Sequence, residues 1–270
     1  PGQGTDLTLY RYTLNDINNI GVRGQLLYTP SDKVKITFIG DVSDQKPSGY
    51  GWPVAGVVTT QRAAYRQFNA IIADLGYKLP STNPFDRIVD HDTPSKADNQ
   101  LGGVSVNADI KIGNGTLTST SAWRYWKWVP LNDRDYLGLP SFTISAGNSV
   151  HDQWSQEIRY SGKVASNLSG VVGLFGLWQD LKSDPVQTEE AGAAQWRFAQ
   201  SSTSALWKTP GLFDNFGIRT TNRIQSTSLA AFAQVDWAVN DKIHVLPGLR
   251  YNYDKKVANY KRETYGGLQT

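Results

Sequence analysis

"VSVNADIKIGNGTLTSTSAWRYWKW", Val104 to Trp128, reads as two strands with a turn between them. Val104, Val106, Ala108, Ile110 and Ile112 fall on one side of a two-residue period, and Ser105, Asn107, Asp109 and Lys111 fall on the other. Gly113-Asn114-Gly115 supplies the positive-φ residues of a tight hairpin. On the return, Leu117, Trp123 and Tyr125 share one parity and Arg124 takes the other. One face of this hairpin is apolar and the other charged. What the apolar face touches has to be decided by the rest of the chain.

The same plan recurs on both sides. Ile20, Val22, Gly24, Leu26 and Tyr28 alternate with Arg23, Gln25 and Leu27; Pro30 to Lys33 turns the chain, and Val34, Ile36, Phe38 and Val42 then alternate with Lys35, Thr37 and Asp41. Near the other end, Leu229, Ala231, Val235, Trp237 and Val239 oppose Ser228, Gln234 and Asp236. After Asn240-Asp241, Ile243, Val245, Leu249, Tyr251 and Tyr253 oppose His244, Arg250, Asn252 and Asp254. Pro247 removes one ladder donor from that last strand. The remaining pair is His151 to Gly162, "HDQWSQEIRYSG", with Ser169 to Leu181; the second of these is apolar on both parities and its facing is ambiguous.

The pattern predicts about eight antiparallel strands in hairpins. Tight turns near 30–33, 113–115, 162–168 and 240–241 alternate with long connections over about 44–99, 129–150 and 182–225. Structureless connections above about 12–15 residues are uncommon in compact domains. Here they recur at every second connection, so short turns gather on one rim and long loops on the other. That asymmetry is expected of an all-β, antiparallel transmembrane β-barrel, with short periplasmic turns and long extracellular loops. Glu157 and Arg159 then belong on the inside, because an outward Arg near the midplane costs about 2–4 kcal/mol and a one-residue slip would turn their whole strand inside out. By the same parity Arg23, Asp109, Arg124, Gln234, Asp236, His244 and Arg250 are candidate lumen-facing residues.

Composition agrees. Of 270 residues, 39% are apolar and 19% charged, with a mean hydropathy of −0.42, and no window approaches a membrane-spanning helix. A barrel strand needs only about 9–11 residues to cross. Nine Trp and thirteen Tyr supply interfacial girdles, and Trp123, Tyr125, Trp126 and Trp128 cluster where a strand runs up to a long loop. The net charge of +3 is spread out, with no basic run for nucleic acid. Absence of cysteine fits an oxidising compartment, and the absence of Met with a Pro1-Gly2 start is expected of a processed chain or a piece of a longer one.

Three stretches carry a resemblance. "WSQEIRYSG" followed by "GLFGLW", "AAFAQVDWAVNDKIHVLPGLRYNYD" and "VRGQLLYTPSDKVKITFIGDVS" resemble the recurring barrel hairpins of TonB-dependent outer-membrane receptors, in the expected order over about Val22 to Asp254. The resemblance implies a barrel of about 22 strands closed by a plug, in a Gram-negative outer membrane. It also implies import of a scarce ligand (siderophore-iron first, or cobalamin, a glycan or an aromatic compound) with energy from an inner-membrane partner of the TonB type. The whole chain, 1–270, is then part of one barrel domain of which the plug and remaining strands are not included. A small structural or adhesive outer-membrane barrel and a soluble carbohydrate-binding β-sandwich are the alternatives.

Nothing in the sequence has the pattern of an enzyme, a metal site or a cofactor site. His91, His151 and His244 are the only histidines, and none sits in a hydrolase or metalloprotease motif. "DHDTPSKAD" (Asp90–Asp98) and "NDRD" (Asn132–Asp135) gather oxygens as Ca²⁺ requires but lack its full spacing, so they read as solvated acidic loops. "QRAAYRQFNAIIADLG" (Gln61–Gly76) predicts a short helix that covers the mouth or packs its own loop. In "SGYGWP" (Ser48–Pro53), Tyr50 and Trp52 are the candidate ligand-entry aromatics.

Overall fold

The computed structural model describes residues 4–6, 13–139, 144–190 and 209–268. Two short strands, β1 (Gly4–Asp6) and β2 (Thr13–Leu14), precede the first long hairpin, β3 (Asn19–Ser31) with β4 (Val34–Gln45). The next connection holds 3-10 turns at Ala64–Arg66 and Pro84–Asp86, the helix α1 (Phe68–Asp74) and the short β5 (Ile88–Val89). Then come β6 (Lys96–Ile112) with β7 (Gly115–Asn132), and β8 (Ile144–Ala165) with β9 (Leu168–Glu190). Last, β10 (Phe216–Asn240) is followed by β11 (Ile243–Val245) and β12 (Gly248–Tyr265).

These strands make one antiparallel meander in the order β3-β4-β6-β7-β8-β9-β10, with β11 and β12 both on β10. β11 and β12 are one strand interrupted at Leu246 and Pro247, the position where the missing N–H was expected to weaken the ladder; the Pro247 carbonyl still accepts from Val235 N at 2.9 Å. Among the described residues β3 and β12 do not pair, so the wall is an open arc of a barrel. A closed barrel of only these strands would require that pairing.

The register fixes the faces. Val104 pairs with Trp123, Trp123 with Trp154, Trp154 with Trp178, and Trp178 with Thr227. Alternate rows below this one bring together Val106, Ser121, Gln156, Gly176 and Leu229, then Ala108, Ser119, Ile158, Leu174 and Ala231. The ambiguous β9 segment is thereby resolved: Val172, Leu174 and Trp178 lie on the apolar face, whereas Val171, Phe175 and Leu177 lie on the charged one. The aromatic group at the top of β7 divides. Trp123 stacks with Tyr125 on the apolar face (6.2 Å), but Trp126 and Trp128 stack on the opposite face (6.3 Å), where Trp126 Nε1 donates to Asn99 Oδ1 at 2.6 Å.

The strands are longer than periodicity suggested. β9 runs to Glu190 and β10 is 25 residues long, so the long connections shrink to 46–95, 133–143 and 191–215. Of these, 140–143 and 191–208 lie outside the described residues. From Leu181 to Gln187 polar residues fall on both parities of β9, and a strand with no apolar side carries no period-two signal.

The buried core lies in the loops. Leu14, Ile71, Ile72, Val89, Leu137, Leu139 and Ala230 are the buried apolar residues among those described, and only Ala230 belongs to the wall. Ile72 of α1 packs with Leu137 and Leu139 of the second long loop, joined by Val54, Phe68, Leu75, Tyr77 and Leu79. The helix therefore packs its own loop and the next one together. Leu14 fills the space above Gly51, and Asn15 and Asp16 bind the backbone at Gly49, Gly51 and Ser48, so residues 13–16 join the same head.

Candidate functional site: the charged face and the loop head

On the charged face the expected residues collect into clusters. Arg23 lies opposite Asp41, and Arg124 reaches Asp41 from two strands away, Nη1 to Oδ1 at 2.6 Å. It does so by lying across Gly103, which separates them in the register. Three rows lower, Lys35, Asp109, Thr118, Arg159, Gly173, Phe232 and Arg250 stand side by side. Asp109 accepts from Thr118 Oγ1 at 2.7 Å and Asn107 Nδ2 at 3.1 Å, while Arg159 donates to Glu157 Oε1 at 3.2 Å.

The Arg250 guanidinium sits 5.6 Å from the Phe175 ring and 5.5 Å from the Phe232 ring, and its Nε donates to Asn252. Phe232 lies down because Gly173 beneath it has no side chain. Such cation–π seats contribute on the order of 0.5–2 kcal/mol. Gln234 and Asp236 lie toward the turn end, where Asp236 Oδ1 meets His244 Nδ1 at 2.7 Å. Sequence parity placed all these charges together; it missed Phe175 and Phe232, which read as ordinary apolar strand residues.

Tyr50 and Trp52 are both exposed at the loop head. Trp52 stacks on Tyr136 of the second long loop at 4.8 Å, and His91 meets the edge of Tyr136 at 6.0 Å. The two acidic loops are not solvated as expected. Asp133 is completely buried, and its carboxylate accepts from Asp92 N (2.9 Å), Tyr136 N (2.9 Å) and Asp135 N (3.1 Å). Burial, with Asp135 and Asp92 close by, pushes the Asp133 carboxyl up to about 8; burial and Asp135 push Asp92 to about 7. Tyr77 donates to Asp90 at 2.8 Å, and burial raises its phenol well above the ordinary range. Among the described residues no His, Cys, Asp and Glu group has the arrangement of a metal site.

No protein-family model matches the chain, and no curated protein does. Solved structures do. The ferric yersiniabactin uptake receptor FyuA from Yersinia pestis superposes with a TM-score of 0.64 at 13% identity, over 98% of this chain and 34% of that one. The ferric citrate transporter FecA, in its unliganded form, gives 0.51 at 12% identity, over 96% and 33%. The chain thus spans about a third of the length of either structure. The fold is that of a receptor β-barrel wall. The superposition over 98% of this chain is on a barrel wall and not on a β-sandwich.

Proposed function

We propose that this chain is barrel-wall sequence of a TonB-dependent outer-membrane importer. The observation that carries the reading is a charge-free band. From the row of Gly115, Gly162, Gly170 and Val235 up to that of Gly40, Val104, Trp123, Trp154, Trp178 and Thr227, the apolar face has no Asp, Glu, Lys or Arg on β4 or β6 to β10. Eight residues at about 3.4 Å each make about 27 Å along the strand, or roughly 20 Å across a membrane at a tilt of about 40°. The Trp row closes the band at its upper edge, where the next row carries Tyr125 beside Asp152 and Asp180, as an aromatic girdle below a polar surface requires. Leu174 and Leu249 on this face are 63% and 80% exposed, so none of the described residues covers them. Hydrocarbon is the matching cover.

The opposite face then lines the lumen. Arg23, Asp109, Arg124, Glu157, Arg159, Gln234, Asp236, His244 and Arg250 offer hydrogen bonds and charge along the route, facing a plug supplied by other parts of the domain. The protein works as a receptor and transporter, not an enzyme, and needs no cofactor of its own; its partners are the bilayer, an energy-coupling protein of the TonB type and a small ligand. Ferric-chelate cargo is the first choice, because both structural neighbours are named for one; cobalamin, glycan or aromatic cargo follow.

Capture is assigned to the loop head. Trp52→Ala, and less strongly Tyr50→Ala, should weaken ligand capture by whole cells about tenfold, roughly 1.4 kcal/mol, without altering the amount of folded barrel. The measurement is binding and uptake of labelled ferric chelates under iron limitation. Uptake of all four cargo classes unaffected by deleting the gene would overturn the import reading.

A further inference from the structure

Two long loops that are far apart in sequence are held together at one carboxylate. Asp133 Oδ2 accepts the backbone N–H of Asp92, and Asp133 Oδ1 holds the N–H of Tyr136, whose backbone stands at a φ of 58°. That backbone position in turn carries the ring on which Trp52 stacks. The Asp92 side chain lies beside this joint with its Oδ2 buried and without a hydrogen-bond partner. We propose that the Asp92–Asp133 joint is a proton-held latch, which keeps the first two long loops and the Trp52–Tyr136 stack closed in acid and releases them as the medium turns alkaline.

The surroundings favour this. The charge of Asp135 on the second loop raises both carboxyls, and His91 and Asp90 precede Asp92 on the first loop, with Tyr77 bound to Asp90. Arg134 is exposed, and the largest influences on both carboxyls are burial and the Asp135 carboxylate. Three backbone donors favour ionised Asp133, but burial and two neighbouring carboxylates outweigh them. Both carboxyls are raised in the closed loops, so the closed form binds more protons than the open one. Its advantage is complete below about pH 4, the free carboxylate range, and is lost as pH rises through the closed-form values.

The latch is independent of what the protein carries. The test uses the full chain folded in detergent micelles, with the Trp52 signal isolated as the difference between wild type and Trp52→Phe. Because Trp52 is already 59% exposed in the closed head, acrylamide quenching of that signal should rise up to about 1.5-fold, and reversibly, between about pH 5 and pH 9. Asp92→Asn, which leaves the Asp92 N–H bond to Asp133 in place, should flatten the response, and Asp133→Asn should flatten it further. Quenching that is the same at both pH values in wild type would overturn the latch. So would a full wild-type response in Asp92→Asn, which decides the matter alone if Asp133→Asn does not fold.

Discussion

Arginine in place of Leu174 is expected to destabilise the folded barrel by about 2–4 kcal/mol, while arginine in place of Ser155 stays within about 0.5 kcal/mol of wild type. The two positions lie on neighbouring strands but opposite faces. Leu174 stands in register with Ile158 and Ala231 in the middle of the charge-free band, and Ser155 with Ala122 and Leu177 on the charged face. If water covered both faces, replacing a leucine that is 63% exposed would be neutral or favourable, and a buried lumen position would be the sensitive one. The sign of the difference is therefore the content of the prediction. Urea unfolding of the wild type and both variants in lipid vesicles measures it. A neutral Leu174→Arg would remove the membrane from the interpretation while leaving the strand register intact.

What the sequence revealed follows from where a single physical constraint acted. Inside the band, one face is apolar and exposed and the other is polar, so each residue falls into one of two classes; Val104 to Ile112 and Leu249 to Asp254 display this without help. Above the band the constraint ends. Lys182 to Glu190 still form strand, but polar residues on both parities leave no alternation to read, and the strand ends were invisible. Phe175 left the facing of its strand ambiguous for another reason: it faces the charged side as a seat for Arg250, a role shared with Phe232 on the adjacent strand and set by Arg250 two strands away. Trp126 and Trp128 could have been separated from Trp123 and Tyr125 by parity alone. The burial of Asp133 had no such signal. It arises from a contact with Asp92, 41 residues away, between two loops whose compositions both suggest exposure.

Gly103→Val is expected to cost about 2–3 kcal/mol, far more than removing the ion pair it protects. The Arg124 side chain lies over Gly103 on its way to Asp41, and a Cβ added there would collide with the Trp123 carbonyl and lie 2.8 Å from Arg124 Cδ. The stem of Arg124 can move; the carbonyl belongs to the β6–β7 ladder and cannot move without breaking it. The ion pair itself contributes little, since the Arg124 side chain is 41% exposed and solvent screens it, so Arg124→Ala should cost no more than about 1 kcal/mol. In a double-mutant cycle, Gly103→Val should be milder by about 0.5–1 kcal/mol in the Arg124→Ala background, with the carbonyl clash left as the remainder. Strictly additive costs would show that Arg124 does not need the gap. Asp41 would then be held by Arg23 across the β3–β4 pair, and the glycine would serve only the close approach of the strands. Coupling of the expected size makes Gly103 the residue that lets a guanidinium from β7 reach β4, and so sets the charge pattern of this part of the wall.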